Sequence, residues 1–386
     1  MNETIVHYFC GNMKGAINFK NFMKIISIFN NKSGVGKTTL TYHLAHILAE
    51  MDKKVLILDM DSQCNLSLYG MQEKELEKIW RDEDYVIDNG FELAEKQMEK
   101  DDFNKLFQTT RTMHFLLKSV EEGISDFDEL PPPVNLANNL DLIPSRLTLF
   151  KYETKIAERW TGMFLGEPLP IRTVTRIRKL AELYSAKSNY DFVIIDTSPS
   201  LGMLNKVIIS TIDGFLIPCL PDMFSLYGIK NIGEALTQWQ REFDICTDMI
   251  SEEKRKAFPE KTVRFLGYTI YNAKKYDSKN RWNLAQAHFN YAQQIPDTIK
   301  EQIDERVREH LSEEMVKTPI GNNAIIHSHN TFPNMAQKYK TPMWVIPDLK
   351  LEDSSITNPK NYKATQEKYK QFADDFLTRV ATLDDE

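Results

Sequence analysis

Residues 30–39, Asn-Asn-Lys-Ser-Gly-Val-Gly-Lys-Thr-Thr, restrict the fold of this chain more than any other stretch. They match a phosphate-binding loop, G-x-x-x-x-G-K-[ST], whose backbone N–H groups cradle phosphates while a lysine reaches the outer ones. Asn31 stands where the pattern has its first glycine, and Gly36, Lys37 and Thr38 are kept. Gly34 is added, and a second lysine, Lys32, lies five residues ahead of Lys37. The flanks fit. Lys24-Ile-Ile-Ser-Ile-Phe29 is a short apolar run suited to a buried strand, and Leu40, Leu44, Ile47 and Leu48 recur at helical spacing. The loop therefore opens a helix, where the dipole and unpaired N–H groups favour anions. A plain turn would explain the glycines but not a Gly-Lys-Thr run between strand and helix.

Two later apolar runs end in carboxylates: Lys54-Val-Leu-Ile-Leu-Asp59-Met-Asp61-Ser-Gln-Cys-Asn65 and Tyr190-Asp-Phe-Val-Ile-Ile-Asp196-Thr-Ser-Pro-Ser-Leu-Gly202. An open parallel sheet delivers its chemical groups at the carboxyl ends of its strands. A single strand-end aspartate is also a common turn former. The glycine loop and these two strand ends, three elements in series, are a stronger signal.

Together these segments resemble the ParA/MinD family of ATPases, nearest in pattern to the ParA/Soj-type partitioning ATPases. Lys32-Ser33-Gly34-Val35-Gly36-Lys37-Thr38 is similar to that family's deviant Walker A loop, Lys-Gly-Gly-x-Gly-Lys-[Thr/Ser], with Ser33 in place of a glycine. Residues 54–65 resemble its D-x-D-P-Q-G-N strand end, with Ser62 for proline and Cys64 for glycine. Residues 190–202 resemble its Walker B strand and switch, YDxIIIDTPPSLG. Weaker matches continue through 213–229, 265–272, 139–145 and Lys340-Thr-Pro342, so the resemblance covers roughly 23–70 and 140–380.

The resemblance implies an α/β fold: a P-loop NTPase with a doubly wound, mostly parallel sheet, helices on both faces and an inserted helical subdomain. It implies an ATP hydrolase using ATP and Mg²⁺. Lys32, Ser33, Gly34, Val35, Gly36, Lys37, Thr38 and Thr39 are then the expected nucleotide-binding residues, with Asn272 at the adenine. Thr38, Asp59 and Asp196 are the expected Mg²⁺ residues; Lys32, Lys37 and Asp61 are the expected catalytic ones, Asp61 positioning the water. Lys32 would reach across a homodimer to the partner's nucleotide, coupling hydrolysis to ATP-dependent dimerisation. Two functional readings follow. In one, the ATP dimer binds DNA nonspecifically in partitioning or cargo positioning, and a protein activator stimulates hydrolysis. In the other, the dimer is a regulatory switch that binds a protein instead. Where relatives carry DNA-binding arginines ahead of Lys340, this chain has His327, His329 and Phe332. An iron–sulfur electron carrier of similar fold finds no paired cysteines here.

Composition sets the remaining bounds. A 42% hydrophobic and 27% charged chain of 386 residues has the makings of a substantial soluble core. Cys10, Cys64, Cys219 and Cys246 form no C-x-x-C pair, so a reduced, cytoplasmic protein is expected. No apolar run approaches the ~18–20 residues that span a bilayer, and the start lacks a signal-peptide pattern, so no membrane partner is expected. The net charge of −7 is unevenly spread: residues 71–139 hold 17 acidic and 8 basic residues, leaving the rest at +2. A near-neutral remainder can still carry a basic face for phosphates.

The expected division is an N-terminal extension at 1–22, an ATPase domain at 23–70 and 140–386, and an acidic helical insertion at 71–139 closed by Pro131-Pro-Pro133. Residues 171–185 read as a helix whose Arg172, Arg176, Arg178 and Lys179 form a solvated face, or alternatively supply two or three phosphate contacts; 297–311 and 362–382 read as further helices. Lys274, Lys275, Lys279, Arg281, Lys338 and Lys340 are the candidates for a DNA-binding face, with the acidic insertion directed away from it.

Overall fold

The computed structural model describes residues 23–127, 129–276, 280–349 and 359–384; the expected extension 1–22 and Lys279 lie outside these. The strands are β1 (Lys24–Ile28), β2 (Val55–Met60), β3 (Val134–Ala137), β4 (Leu140–Ile143), β5 (Phe192–Thr197), β6 (Gly214–Cys219) and β7 (Arg264–Ile270). They form one sheet in the order β3-β4-β2-β5-β1-β6-β7, parallel throughout except for β3 against β4. Chain order reverses about β1, which is the expected doubly wound arrangement. Strands buried on both faces read as nearly continuous apolar runs, and β2, β5 and β6 are buried throughout, their polar residues confined to the carboxyl ends of β2 and β5. Alternate residues feed two cores, one on each face of the sheet. Ile25, Leu56, Leu58, Val193 and Ile195 enter one; Ile26, Val55, Ile57 and Ile194 enter the other.

Helix α1 (Lys37–Glu50) follows the glycine loop directly, and α2 (Asn65–Gly70) follows β2. The acidic segment then forms α3 (Glu73–Asn89), α4 (Phe91–Gln97), α5 (Lys100–Gln108) and α6 (Met113–Glu122). Thr112 caps α6 by accepting from Phe115 N–H, and Gly123 ends it at φ 78°, a left-handed conformation that favours glycine. The segment is not helical throughout. Val134–Ala137 pair with β4 as an edge strand. Nor is it a separate body, because Val86, Ile87, Phe91, Leu106, Phe115 and Leu117 join the same core as β2 and β5.

Next come α7 (Phe150–Phe164), α8 (Pro168–Ser188), α9 (Met203–Thr211), the long α10 (Met223–Met249) and α11 (Glu252–Arg255). The basic face expected on α8 is largely internal. Arg172 and Arg176 each hold Asp126 at 2.6 Å, Arg178 holds Asp213 at 2.9 Å, and only Lys179 of the four remains mostly in solvent. Four short helices follow β7: α12 (Gln286–Ala292), α13 (Ile295–Gln302), α14 (Glu305–Arg308) and α15 (Glu313–Lys317). The single helix expected over 297–311 is therefore broken. Ile303 turns extended, and Asp304 starts a new helix by accepting from Arg306 N–H at 2.9 Å. Helix α16 (Phe332–Tyr339), a 3-10 turn at Met343–Asp348 and α17 (Pro359–Ala381) are the last elements among the described residues, with α17 packed on α1. Among the described residues no helix is long and apolar enough to cross a membrane.

Candidate functional site

The loop 29–36 leaves β1 between its neighbours β5 and β6, and the carboxyl ends of β2, β5, β6 and β7 surround it. Gly34 and Gly36 adopt φ of +74° and +86°, which glycine takes without strain. Ser33, the departure from the family pattern, is exposed and is not among the residues of positive φ, so the substitution leaves the turn unstrained. Val35 is buried, and Thr38 and Thr39 are half-buried in the first turn of α1. Asn30 braces the loop from below. Its Nδ2 donates to Pro218 O at 2.8 Å and its Oδ1 accepts from Lys32 N–H at 2.9 Å.

Both lysines point inward. Lys37 is buried, and its ammonium donates to Lys32 O at 3.0 Å. Burial lowers its pKa, while Asp196 and Asp61 act in the opposite sense. Lys32 reaches Asp222 Oδ2 at 2.5 Å and lies 5.5 Å from the centre of the Phe224 ring. Asp222 also caps α10, its Oδ1 accepting from Ser225 N–H at 2.9 Å. One carboxylate thus joins the loop to the longest helix. Sequence reasoning missed Asp222, although Asp-x-x-Ser after a strand is a legible cap.

The strand-end carboxylates lie together. Asp59 and Asp196 are paired neighbours in the β2–β5 register. Burial, and then repulsion from nearby carboxylates, pushes both carboxyls above the usual range. Asp196 Oδ2 accepts from the Thr38 hydroxyl at 2.9 Å. Asp59 is engaged otherwise: it accepts from Asp61 N–H at 3.1 Å, Ser67 N–H at 2.8 Å and the Ser67 hydroxyl at 2.6 Å. Asp61 lies just beyond the strand, almost fully buried, and accepts from Gln63 N–H at 2.9 Å. A hydroxyl and a carboxylate in contact are the hard oxygen donors that suit Mg²⁺. Thr38 and Asp196 fit that ion; Asp59 is the most committed of the three expected Mg²⁺ residues.

Cys64, standing where relatives have glycine, takes the left-handed φ of 55° with its side chain fully buried. Asn272, exposed at φ 59°, follows Tyr271 past the end of β7. Tyr271 was not singled out from sequence, yet its ring edge abuts Gly36: a Cβ there would sit 2.3 Å from two ring carbons, Cδ1 and Cε1. After β5, Asn205 of α9 ties the following loop by donating to Ser198 O and Ser200 O, both at 2.8 Å. The expected DNA residues fare unevenly. Lys274, Lys275 and Lys338 are exposed, and exposed Arg281 stacks 3.8 Å from the Trp282 ring. Lys340 instead donates to Leu68 O at the end of α2.

The sequence profile of the AAA domain matches residues 23–248. An uncharacterized protein of Methanocaldococcus jannaschii is 32% identical over 212 residues, 54% of this chain and 63% of that protein. The sporulation initiation inhibitor protein Soj of Bacillus subtilis is 25% identical over 230 residues, 59% of this chain and 70% of Soj. The structure of pNOB8 ParA bound to nonspecific DNA shares the fold, with a TM-score of 0.51 at 18% identity over 93% of this chain and 99% of that one. The chain spans 61–63% of the length of the first relatives it matches.

Proposed function

The chain belongs to the AAA domain family, among its ParA/MinD-type ATPases, and we propose that it is a Mg²⁺-dependent ATPase switch that dimerises on ATP and binds DNA nonspecifically to partition or position a cargo. The observation that carries this reading is the pair of lysines on one glycine loop, with Thr38 and Asp196 in contact beneath it. Phosphoryl transfer to water calls for positioning and charge neutralisation more than covalent chemistry. The N–H groups of 34–38 and the Lys37 ammonium would bind the β- and γ-phosphates, with Thr39 beside the α-phosphate and Asn272 at the adenine. Thr38 and Asp196 would hold Mg²⁺, which would supply positive charge against the phosphates. Asp61 would orient the attacking water. Lys32 would add positive charge to the partner subunit's γ-phosphate, which requires it to leave Asp222. Hydrolysis would then follow dimer closure, and a protein activator would speed it.

DNA binding is supported by the relative solved on nonspecific DNA and by exposed Lys274, Lys275, Arg281 and Lys338. The engagement of Lys340 with Leu68 O favours the second reading, a switch whose ATP dimer holds a protein. A gel shift with random duplex separates them. With ATP and low salt, retardation that fades steeply as salt rises supports DNA, because counterion release drives such binding. Absence of retardation at low salt transfers the proposal to a protein partner.

A further inference from the structure

Resting on the reading of the loop as a nucleotide site, we propose that Tyr271 is a positioning residue for it, a strut that holds Gly36 in place and is itself anchored by Tyr369 of the C-terminal helix. The backbone of Tyr271 is fixed by the sheet, since its N–H donates to Cys219 O at 2.9 Å. Its ring is buried and occupies the space where any side chain at position 36 would stand, with ring carbons 2.3 Å from that point. The left-handed turn at Gly36 is therefore backed by the Cδ1–Cε1 edge of a buried aromatic ring. The ring is also tethered at its far end. The Tyr271 and Tyr369 hydroxyls lie 2.9 Å apart, and Tyr369 is fully buried.

The anchor reaches the other side of the same loop. Tyr369 packs on His43, with ring centroids 5.2 Å apart. His43 Nε2 accepts from Met343 N–H, which leaves its Nδ1 protonated and donating to Thr39 O at 2.7 Å. Gly36 and Thr39, at either side of Lys37 and Thr38, are thus both held by one buried cluster built on α17, more than 320 residues away in sequence. The contact with Gly36 has a direct consequence. Without the ring, the loop samples other conformations, and nucleotide affinity falls in proportion to the lost competent fraction. Chemistry in the bound state is unaffected.

The test compares Tyr271→Leu, Tyr271→Phe and Tyr369→Phe with the unaltered protein. Amide exchange of residues 34–38 without nucleotide reads the loop itself, and MgATP titration with steady-state turnover reads its use. Tyr271→Leu should speed exchange at 34–38, leave exchange in β5 unchanged, and raise the MgATP dissociation constant about tenfold if the competent fraction drops to about one in ten. Its turnover at saturating ATP should stay near that of the unaltered protein. Tyr271→Phe keeps the ring and should restore most of the affinity; Tyr369→Phe, which releases the tether alone, should speed loop exchange modestly. Unchanged loop exchange in both Tyr271→Leu and Tyr369→Phe overturns the proposal, as does a loss confined to thermal stability. If Tyr271→Leu does not fold, Tyr369→Phe decides by loop exchange. If no variant and not the unaltered protein binds MgATP while loop exchange responds as described, the nucleotide reading fails and the strut stands.

Discussion

The residue with most at stake is Lys32. It is held by its own chain through Asp222, so any action on a second subunit must be preceded by its release. Asp222→Asn keeps a side chain able to cap α10 but removes the charge that retains Lys32. Its ATP-dependent dimerisation midpoint should fall below that of the unaltered protein in analytical ultracentrifugation, and a raised midpoint would show that Asp222 assists closure instead. His46 gives a pH-linked expectation. It is buried against Tyr42 with ring centroids 4.4 Å apart, and burial depresses its pKa to about 3. Because the folded pKa lies below the unfolded one, its contribution is complete above pH 6.5 and is lost as pH falls toward 3. The loss is about 1.4 kcal/mol per pH unit. Buried carboxyls with raised pKa, such as Glu83, act in the opposite direction, so the useful comparison is between the protein and His46→Phe. The variant should show a flatter loss of stability between pH 6.5 and 4 in urea titrations; parallel pH profiles would mean that His46 is protonated in the fold.

At the scale of elements, the contiguous patterns were the legible ones. The loop, the apolar strands and α17 could be read because each is specified by neighbours in sequence. The contacts that decide the fate of α8 could not. Arg172 and Arg176 find Asp126 about fifty residues away, and nothing local distinguishes them from a solvated stripe. The same holds for Lys32 with Asp222, at a separation of 190, and for Tyr271 with Tyr369, at 98. The break between α13 and α14 was missed because apolar spacing runs on through Ile299, Ile303 and Val307 while the cap at Asp304 interrupts the backbone. Helix α13 also packs unusually close to α10: a Cβ on Gly233 would lie 2.0 Å from Gln302 O. Backbone cannot yield as a flexible side chain can. Gly233→Ala should therefore destabilise the protein by about 1–3 kcal/mol, read as a lower thermal midpoint. An unchanged midpoint would show that α13 can shift freely.

For the whole molecule, the acidic segment matters in a way its composition did not reveal. Its charge marks it as an added module, yet its apolar residues complete the core above β2 and β5, and β3 closes the sheet edge. Excising 71–139 should abolish cooperative unfolding rather than leave a working ATPase, since buried Phe91, Phe115 and Leu117 would be lost together. A deletion variant that unfolds in one sharp transition at the original midpoint would mark the segment as dispensable. The proposed switch is the part most open to test: ATP would close two copies of this chain, with Lys32 acting between them. Asp61→Ala should bind MgATP and remain dimeric, because the phosphate cradle is intact while water positioning is lost. Light scattering of Asp61→Ala and of the double variant Asp61→Ala with Lys32→Ala, both in saturating MgATP, tests this most directly. The account predicts a dimer for the first and a nucleotide-bound monomer for the second; two dimers, or two monomers, would contradict it.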